Sequence, residues 1–443
     1  MQNVLIAGAG KSSSCLIEYM LQHAKRHWKV IVADANPEAI AEKLGGHPKG
    51  EAVILDIFNE SSRQALVQQA DLVISILPPA LHNILAKDCI RFKKNLITSS
   101  YVSDEIKAMD ADAKKAGILF MCEMGLDPGI DHMSANALIH SIERIAGTIT
   151  SFKSFCGGLV APESDDNPWH YKISWNPRNI VMAGSQGAVW LENGKEHHAA
   201  YDSLFSNSKK IKVQHQDIGS LSYYPNRDSL KYLSLYHLPD IRTFMRATLR
   251  HPVFMKGWDV IVRSGLTNDR DVFNNDNHTY TDWLAQTTGL RNDDNLKAAF
   301  AKQYGADEKV MKQIEWLGLF DNRKIYENKS YSSADLMQQI LEEKWKMKLT
   351  DKDMVVMQHQ IEYERKGSHT RVTSSMITIG ENRQYSAMAR TVGLPMAILA
   401  EKILKEGGIR NLHGVHIPVM PEVYVPVLKA LKKHGIEFIE EVE

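Results

Sequence analysis

The chain of 443 residues is 44% apolar, 24% charged and 8% aromatic, which fits a folded globular protein of two or three domains. This makeup excludes a disordered tail, a collagen-like repeat and a small disulfide-stapled fold. Lysine plus arginine and aspartate plus glutamate number 53 each, so no overall field holds nucleic acid or anionic lipid, and recognition must rest on local sites.

Up to Asp127-Pro128-Gly129 the sequence alternates strand and helix. Val4–Ala7 is an apolar run ending in Gly8-Ala9-Gly10, and a helical period from Ser12 to Lys25 carries a stripe at Leu16, Tyr19, Met20 and His23. A strand over Lys29–Asp34, a helix over Pro37–Leu44, a strand over Ala52–Asp56 and a helix over Ser61–Gln69 follow. Leu72–Leu77, Asn95–Ser99 and Ile118–Met121 continue the strands. Short aliphatic runs separated by helical periods predict a parallel sheet buried on both faces, the doubly wound, Rossmann-like α/β class.

Beyond Gly129 the texture changes. Strand-like stretches over Ile149–Phe155, Gly187–Glu192, Ile211–His215 and Asp259–Val262, with Pro- and Gly-bearing turns between them, predict an antiparallel or mixed sheet. Segment 280–347 reads as helical, Met354–Tyr363 and Thr370–Ile379 as strands, and Arg390–Lys405 as a helix. The segment with Pro418, Pro421 and Pro426 closes on a helix and a short strand over Ile436–Ile439. No apolar run nears the ~18 residues of a membrane span, and the N-terminus lacks the basic start of a signal peptide. Cys15, Cys89, Cys122 and Cys156 are scattered without C-x-x-C or metal-ligand spacing; reduced thiols in a cytoplasmic protein are expected.

The strongest local signal is strand-Gly8-Ala9-Gly10-helix. Glycine allows a tight turn and lets a pyrophosphate approach the backbone, and the helix beyond offers N–H groups and a positive dipole end. Lys11-Ser12-Ser13-Ser14 stands where the third glycine of the fingerprint would fall; serine is small enough for helix–sheet packing, and Ser12 can bond a phosphate. Asp34 closes the second strand near the spacing of about 20 residues at which a ribose-binding acid follows the loop. Its bland reading is a helix cap ahead of Pro37. Asp56 reads as a turn or cap residue that also lines the adenine pocket.

Ser75–Pro79 and Thr98–Tyr101 close the fourth and fifth strands, and ligands of open α/β sheets lie beyond such ends. Tyr101 and Asp127 would then project toward the nicotinamide, although packing and turn formation are their ordinary roles taken singly. Tyr224-Pro225-Asn226-Arg227-Asp228-Ser229, followed by Arg242, Arg246 and Arg250, supplies guanidinium forks of the kind that grip carboxylates. A solvated face explains Arg242 equally well. The 18 histidines show no metal-binding spacing, so no metal is expected, and no nucleophile elbow is present.

Several segments together resemble the saccharopine reductase family, the L-glutamate-forming saccharopine dehydrogenases. They are Leu77-Pro78, Thr98–Ser103, Glu123–His132, Phe155-Cys156-Gly157-Gly158-Leu159, Ala161-Pro162-Glu163, Asn167-Pro168, Tyr171–Trp175, Tyr224–Ser229, Trp316–Phe320 and Asp353–His359, in order along nearly the whole chain. The resemblance implies a dinucleotide-binding domain over 1–125 and 388–443, a mixed-sheet substrate and dimerisation domain over 126–275 and 350–387, and a helical subdomain over 276–349. It implies a homodimer that interconverts saccharopine, a nicotinamide cofactor and water with L-glutamate, 2-aminoadipate 6-semialdehyde and reduced cofactor.

By the same matching, Tyr101, Asp127 and Cys156 carry the acid–base roles discussed for the family. Gly8, Ala9, Gly10, Lys11, Ser12, Asp34, Asp56, Ile57, Ile76, Ser99, Ser100, Leu126, Asp127, Pro128 and Trp175 line the cofactor. Ser100, Tyr101, Asn226, Arg227, Asp228 and Ser229 bind substrate. NADP-using fungal relatives carry arginine near the end of the second strand, where this chain has Ala33-Asp34-Ala35-Asn36; NAD is therefore expected, with NADP the other possibility through Lys11. The competing readings are an opine-type or carboxynorspermidine-synthase-like amine dehydrogenase, and a non-catalytic dinucleotide-binding redox sensor.

Overall fold

The computed structural model describes residues 1–213, 218–274, 278–325, 330–406, 409 and 412–443. The chain divides into two compact units, Met1–Thr148 with Met376–Ile439, and Ile149–Ser375 with Glu440–Glu443.

The first unit is built on strands β1 (Gln2–Ala7), β2 (Trp28–Asp34), β3 (Gly50–Ile54), β4 (Leu72–Ser75), β5 (Asn95–Thr98) and β6 (Leu119–Met121), joined by the returning strand Gly414–His416. Their order is Gly414–His416, β6, β5, β4, β1, β2, β3, and every neighbouring pair is parallel. Val4–Ala7 and Leu72–Ser75 have no exposed side chain, as a sheet covered on both faces requires. The order reverses between β1 and β4, and that switch point is where such sheets open a crevice at their carboxyl ends.

Helix α1 runs Ser14–Ala24, one 3₁₀ turn (Lys11–Ser13) after the glycine loop. The helix expected from Ser12 therefore opens more tightly than read. Helix α2 covers Pro37–Leu44 as expected, with proline in its first turn and Asn36 as its cap. Strand β3 lies two residues N-terminal to the expected position, because Asp56 Oδ1 accepts from Phe58 N at 2.9 Å and turns the chain. The edge is tied down by Arg63, whose Nε donates to Asp88 Oδ2 at 2.6 Å and whose Nη1 donates to the Ile57 carbonyl at 2.7 Å.

The second unit holds a mixed sheet in the order Lys209–Lys212, Ser220–Pro225, Thr243–Arg250, Thr148–Val160, Asp353–Arg365, Ser368–Ile379, Ile439–Val442. Thr243–Arg250 runs parallel to Thr148–Val160 and antiparallel to Ser220–Pro225. The expected strand over Ile211–His215 begins two residues earlier, at Lys209; His215 lies outside the described residues. The terminal strand is Ile439–Val442 rather than Ile436–Ile439.

Asp259–Val262 is a correction: it belongs to the helix Pro252–Arg263, capped by His251 and buried across Trp258–Val262. A run of three apolar residues after Asp259 has no periodicity to separate a strand from a buried helical turn. The helix packs into an aromatic core with Trp169, Tyr171, Trp283 and Trp345. Among the described residues no helix is long and apolar enough to cross a membrane. The four cysteines are all buried and form no disulfide.

Candidate active site and its relatives

The glycine loop has a physical requirement for only one of its glycines. Gly8 sits at φ +111°, and a Cβ there would stand 2.9 Å from the Ile76 carbonyl oxygen. That contact closes β1 against the end of β4 at the switch point. Gly10 has an ordinary φ, and a Cβ built on it meets nothing within 4 Å. The surface above Gly10 is thus an open cradle of backbone, which fits the approach of a pyrophosphate.

Asp34 is bound to this loop. Its Oδ2 accepts from Ala9 N at 2.7 Å and its Oδ1 from Asn36 N at 2.9 Å. The cap reading fails for Asp34, because Asn36 Oδ1 receives the helix N–H groups of Glu38 and Ala39. The carboxylate instead stands beside the loop at the carboxyl end of β2, half-buried, with Asp56 exposed and Ile57 buried beyond β3. Gly8, Ala9, Gly10, Lys11, Ser12, Asp34, Asp56, Ile57, Ile76, Ser99 and Ser100 all lie at or just beyond the carboxyl ends of β1 to β5, so one edge of the sheet gathers them.

Tyr101 and Asp127 meet: the tyrosine hydroxyl donates to Asp127 Oδ1 at 3.1 Å. Asp127 precedes Pro128 through a cis peptide bond, and the turn closes with Gly125 N donating to the Pro128 carbonyl at 3.0 Å. Gly129, at φ +145°, leaves no room for a side chain; a Cβ there would be 2.0 Å from the Gly125 carbonyl oxygen.

A buried polar cluster braces both loops from beneath. Glu123 Oε1 accepts from Val102 N at 3.0 Å, its Oε2 lies 2.8 Å from His132 Nε2, and Asp131 Oδ1 accepts from Gly129 N at 2.6 Å. The residues beside Tyr101 and Asp127 are therefore held by charge-assisted bonds, which are shorter and stronger than neutral ones. Sequence reasoning took Glu123–His132 as a motif without assigning these side chains.

His82 was missed altogether. Its Nδ1 is 2.7 Å from Ser75 Oγ and its Nε2 2.7 Å from Ser100 Oγ. Burial pushes its pKa down to about 4, because desolvation penalises the cation.

In the second unit, Cys156 is buried on Thr148–Val160, opposite Thr248, which in turn pairs with Tyr224. Arg246 and Arg250, two steps either side of Thr248, share its face of the strand and are 2% and 4% exposed. Arg246 lies 4.5 Å over the Tyr232 ring, and Arg250 5.2 Å over Tyr171. Ser229 is fully buried; its Oγ accepts from Arg246 N at 3.0 Å, and Asn226 N donates to the Arg246 carbonyl at 2.8 Å. Arg227 is exposed, with Nη1 donating to Gln186 Oε1 at 2.9 Å, and Asp228 Oδ1 caps the next turn at Leu230 N. Arg242 is exposed, as a solvated face requires. Trp175, matched to the cofactor, donates Nε1 to Tyr171 OH at 3.0 Å against the aromatic core. The second unit thus brings Asn226–Ser229 together with Arg246; in the first, the glycine loop holds Asp34, and Tyr101 meets Asp127. Among the described residues no cluster of His, Cys, Asp or Glu is fit to hold a metal ion.

A parallel sheet with a glycine loop at its switch point defines the dinucleotide-binding class of open α/β folds. More narrowly, the chain belongs to the saccharopine dehydrogenase family: residues 4–121 match the saccharopine dehydrogenase NADP binding domain and residues 125–436 the saccharopine dehydrogenase C-terminal domain. The Saccharomyces cerevisiae saccharopine dehydrogenase [NADP(+), L-glutamate-forming] is 33% identical over 98% of both chains. The bovine mitochondrial alpha-aminoadipic semialdehyde synthase is 34% identical over 99% of this chain, which spans only 47% of that protein. The apo histidine-tagged saccharopine dehydrogenase (L-Glu forming) from Saccharomyces cerevisiae superposes with a TM-score of 0.86 at 32% identity, covering 100% of each chain.

Proposed function

We propose that the protein oxidises saccharopine with a nicotinamide dinucleotide and water to L-glutamate and 2-aminoadipate 6-semialdehyde, and runs the reverse reaction. The observation that carries this reading is the likeness to the yeast enzyme over the whole of both chains. It supports saccharopine over a related opine or polyamine substrate. The bonded Tyr101–Asp127 pair supports an enzyme over a redox sensor.

When bound, the nicotinamide supplies the hydride acceptor. The protein's own part is proton handling and anchoring. The secondary amine must be neutral before the adjacent CH2 is oxidised, since a cationic nitrogen has no electron pair to push into the forming C=N bond. Asp127, with Tyr101 donating to it at 3.1 Å, is the base we assign to that proton. Once water has added to the imine carbon, the carbinolamine hydroxyl loses a proton and the departing glutamate nitrogen gains one. The same pair serves both transfers, with Cys156 the third candidate group. Saccharopine carries three carboxylates, and Asn226, Arg227, Asp228 and Ser229, with Ser100 and Tyr101, are assigned to bind it.

The matching NADP binding domain and the fungal relatives carry NADP in their names. The residues of this chain support NAD(H). A 2′-phosphate would bring about two negative charges toward Asp34, and no arginine lies in Ala33-Asp34-Ala35-Asn36 to compensate. Lys11, inside the glycine loop, suits the pyrophosphate. We further read the protein as a cytoplasmic homodimer whose segment 276–349 is a separate helical subdomain.

Steady-state turnover of saccharopine with each cofactor tests the reading. Reduced cofactor should form with saccharopine present, with higher kcat/KM for NAD+ than for NADP+, and Asp34→Ala should narrow the ratio. Turnover of carboxynorspermidine or another opine, without turnover of saccharopine, would refute the substrate; an NADP+ preference that Asp34→Ala leaves unchanged would refute the selector.

A further inference from the structure

His82 opens the helix His82–Phe92, directly after the turn Pro79–Leu81, and its ring bridges the ends of two neighbouring strands. Ser75 ends β4, Thr98 ends β5, and Ser100 lies two residues beyond. Ser75, Thr98 and His82 are 0%, 1% and 2% exposed, while Ser100 is half-buried. The ring is neutral at neutral pH because burial disfavours its cation. A neutral imidazole has one N–H and one lone pair, so it cannot donate to both serines or accept from both.

Ser75 decides the direction. Among the described residues its hydroxyl has one hydrogen-bond partner, His82 Nδ1 at 2.7 Å. A fully buried hydroxyl is stabilised when its proton rests on an acceptor, so Ser75 donates and Nδ1 accepts. The ring proton then sits on Nε2, which donates to Ser100 Oγ at 2.7 Å. Thr98 Oγ1 lies 3.2 Å from Nε2 and 3.4 Å from Nδ1, so its proton shares the Nδ1 lone pair, while the oxygen receives Ser100 N at 3.3 Å and fixes the Ser100 backbone. With one lone pair of Ser100 filled by the imidazole, its own O–H points away from the ring.

We infer that His82 is a positioning residue that makes the Ser100 hydroxyl a hydrogen-bond donor to a carboxamide or carboxylate oxygen of the bound ligands. The inference rests on the functional reading above only for the identity of that oxygen. The nicotinamide carboxamide and a saccharopine carboxylate share the chemistry.

Two measurements test it. The ¹⁵N shifts of the imidazole, assigned by loss of the signal in His82→Leu, should report the neutral Nε2–H tautomer in the ligand-free protein. The Nδ1–H tautomer, or a charged ring at neutral pH, would overturn the inference. Ser100→Ala should lower kcat/KM about tenfold, the scale of one lost hydrogen bond. The loss should appear in the KM of the cofactor if the acceptor is the carboxamide, and in that of saccharopine if it is the carboxylate. His82→Leu should give a similar loss, and the double variant should be no worse than Ser100→Ala, since His82 acts through that hydroxyl. Additive losses would overturn the inference, because a purely structural histidine would contribute independently. The tautomer is read without turnover, so a wild-type protein inactive on saccharopine would overturn the functional reading alone.

Discussion

The two units use the same chemistry-bearing residue types in opposite ways. In the first, the site is a set of loops at the ends of parallel strands, and backbone does much of the work: Ala9 N and Asn36 N hold Asp34, and Val102 N and Gly129 N are held by buried carboxylates. In the second, cationic side chains lie within a mixed sheet, Arg246 against Tyr232 and Arg250 against Tyr171. The difference teaches that a parallel sheet offers a site by topology, whereas a mixed sheet has to build one from side chains and aromatic support. Substitutions of the glycine loop, Asp34 and Asp127 should therefore act on cofactor and turnover, and those of Asn226–Ser229 on saccharopine.

The largest effect is expected from Asp127→Ala, a fall in kcat of roughly 10²–10⁴-fold, the usual scale for a general acid–base group. An unchanged kcat and pH profile would remove this carboxylate from proton transfer and blur the contrast between the units. Arg63→Met should destabilise the first unit by about 3–5 kcal/mol, because it leaves Asp88 buried without its ion pair; denaturant unfolding measures this. A loss near zero would show that the β3 edge does not depend on that bond.

Arg227→Ala should reduce kcat/KM for saccharopine by about 2–4 kcal/mol, with the KM of the cofactor unchanged. Lysine should rescue it poorly, lacking the planar fork. A loss confined to the cofactor would invert the division of labour.

The smallest effect concerns pH. His82 has a folded pKa of about 4 against an ordinary 6.5, so between those values the unfolded chain binds a proton that the folded chain refuses. Its contribution is complete above about pH 6.5 and is lost as pH falls toward 4, roughly 2 kcal/mol by pH 5. The drop in melting temperature from pH 7 to pH 5 should shrink in His82→Leu; an equal drop would place the acid sensitivity elsewhere.

Most of the first unit was legible because its order follows from local pattern. Short buried runs joined by helical crossovers admit few arrangements, and the Gly8–Gly10 loop and Asp34 belong to a motif written along one stretch of chain. The Tyr101–Asp127 contact was legible only through the rule that strand ends gather ligands. His82 was not, because its partners Ser75 and Ser100 come from different strands and meet only when β4 lies beside β5. The helix Ile130–Arg144 also escaped notice, since Asp131, His132, Ser134 and Asn136 are buried on it and interrupt the apolar stripe. In the second unit only part of the sheet was legible: strands were expected near Thr148–Val160, Ala188–Glu192, Asp353–Arg365 and Ser368–Ile379, but Ser220–Pro225 and Thr243–Arg250 were missed. Thr243–Arg250 pairs parallel on one side and antiparallel on the other, with partners far apart in sequence.

The central claim is that this chain removes hydride from the saccharopine CH2 beside the secondary amine and releases glutamate. Saccharopine deuterated at that carbon tests it in one reaction with NAD+. Deuterium should appear in the reduced nicotinamide, with one glutamate formed per cofactor reduced. Unlabelled reduced cofactor, as when hydride leaves the other carbon on the nitrogen and lysine with 2-oxoglutarate is released in place of glutamate, would contradict the account.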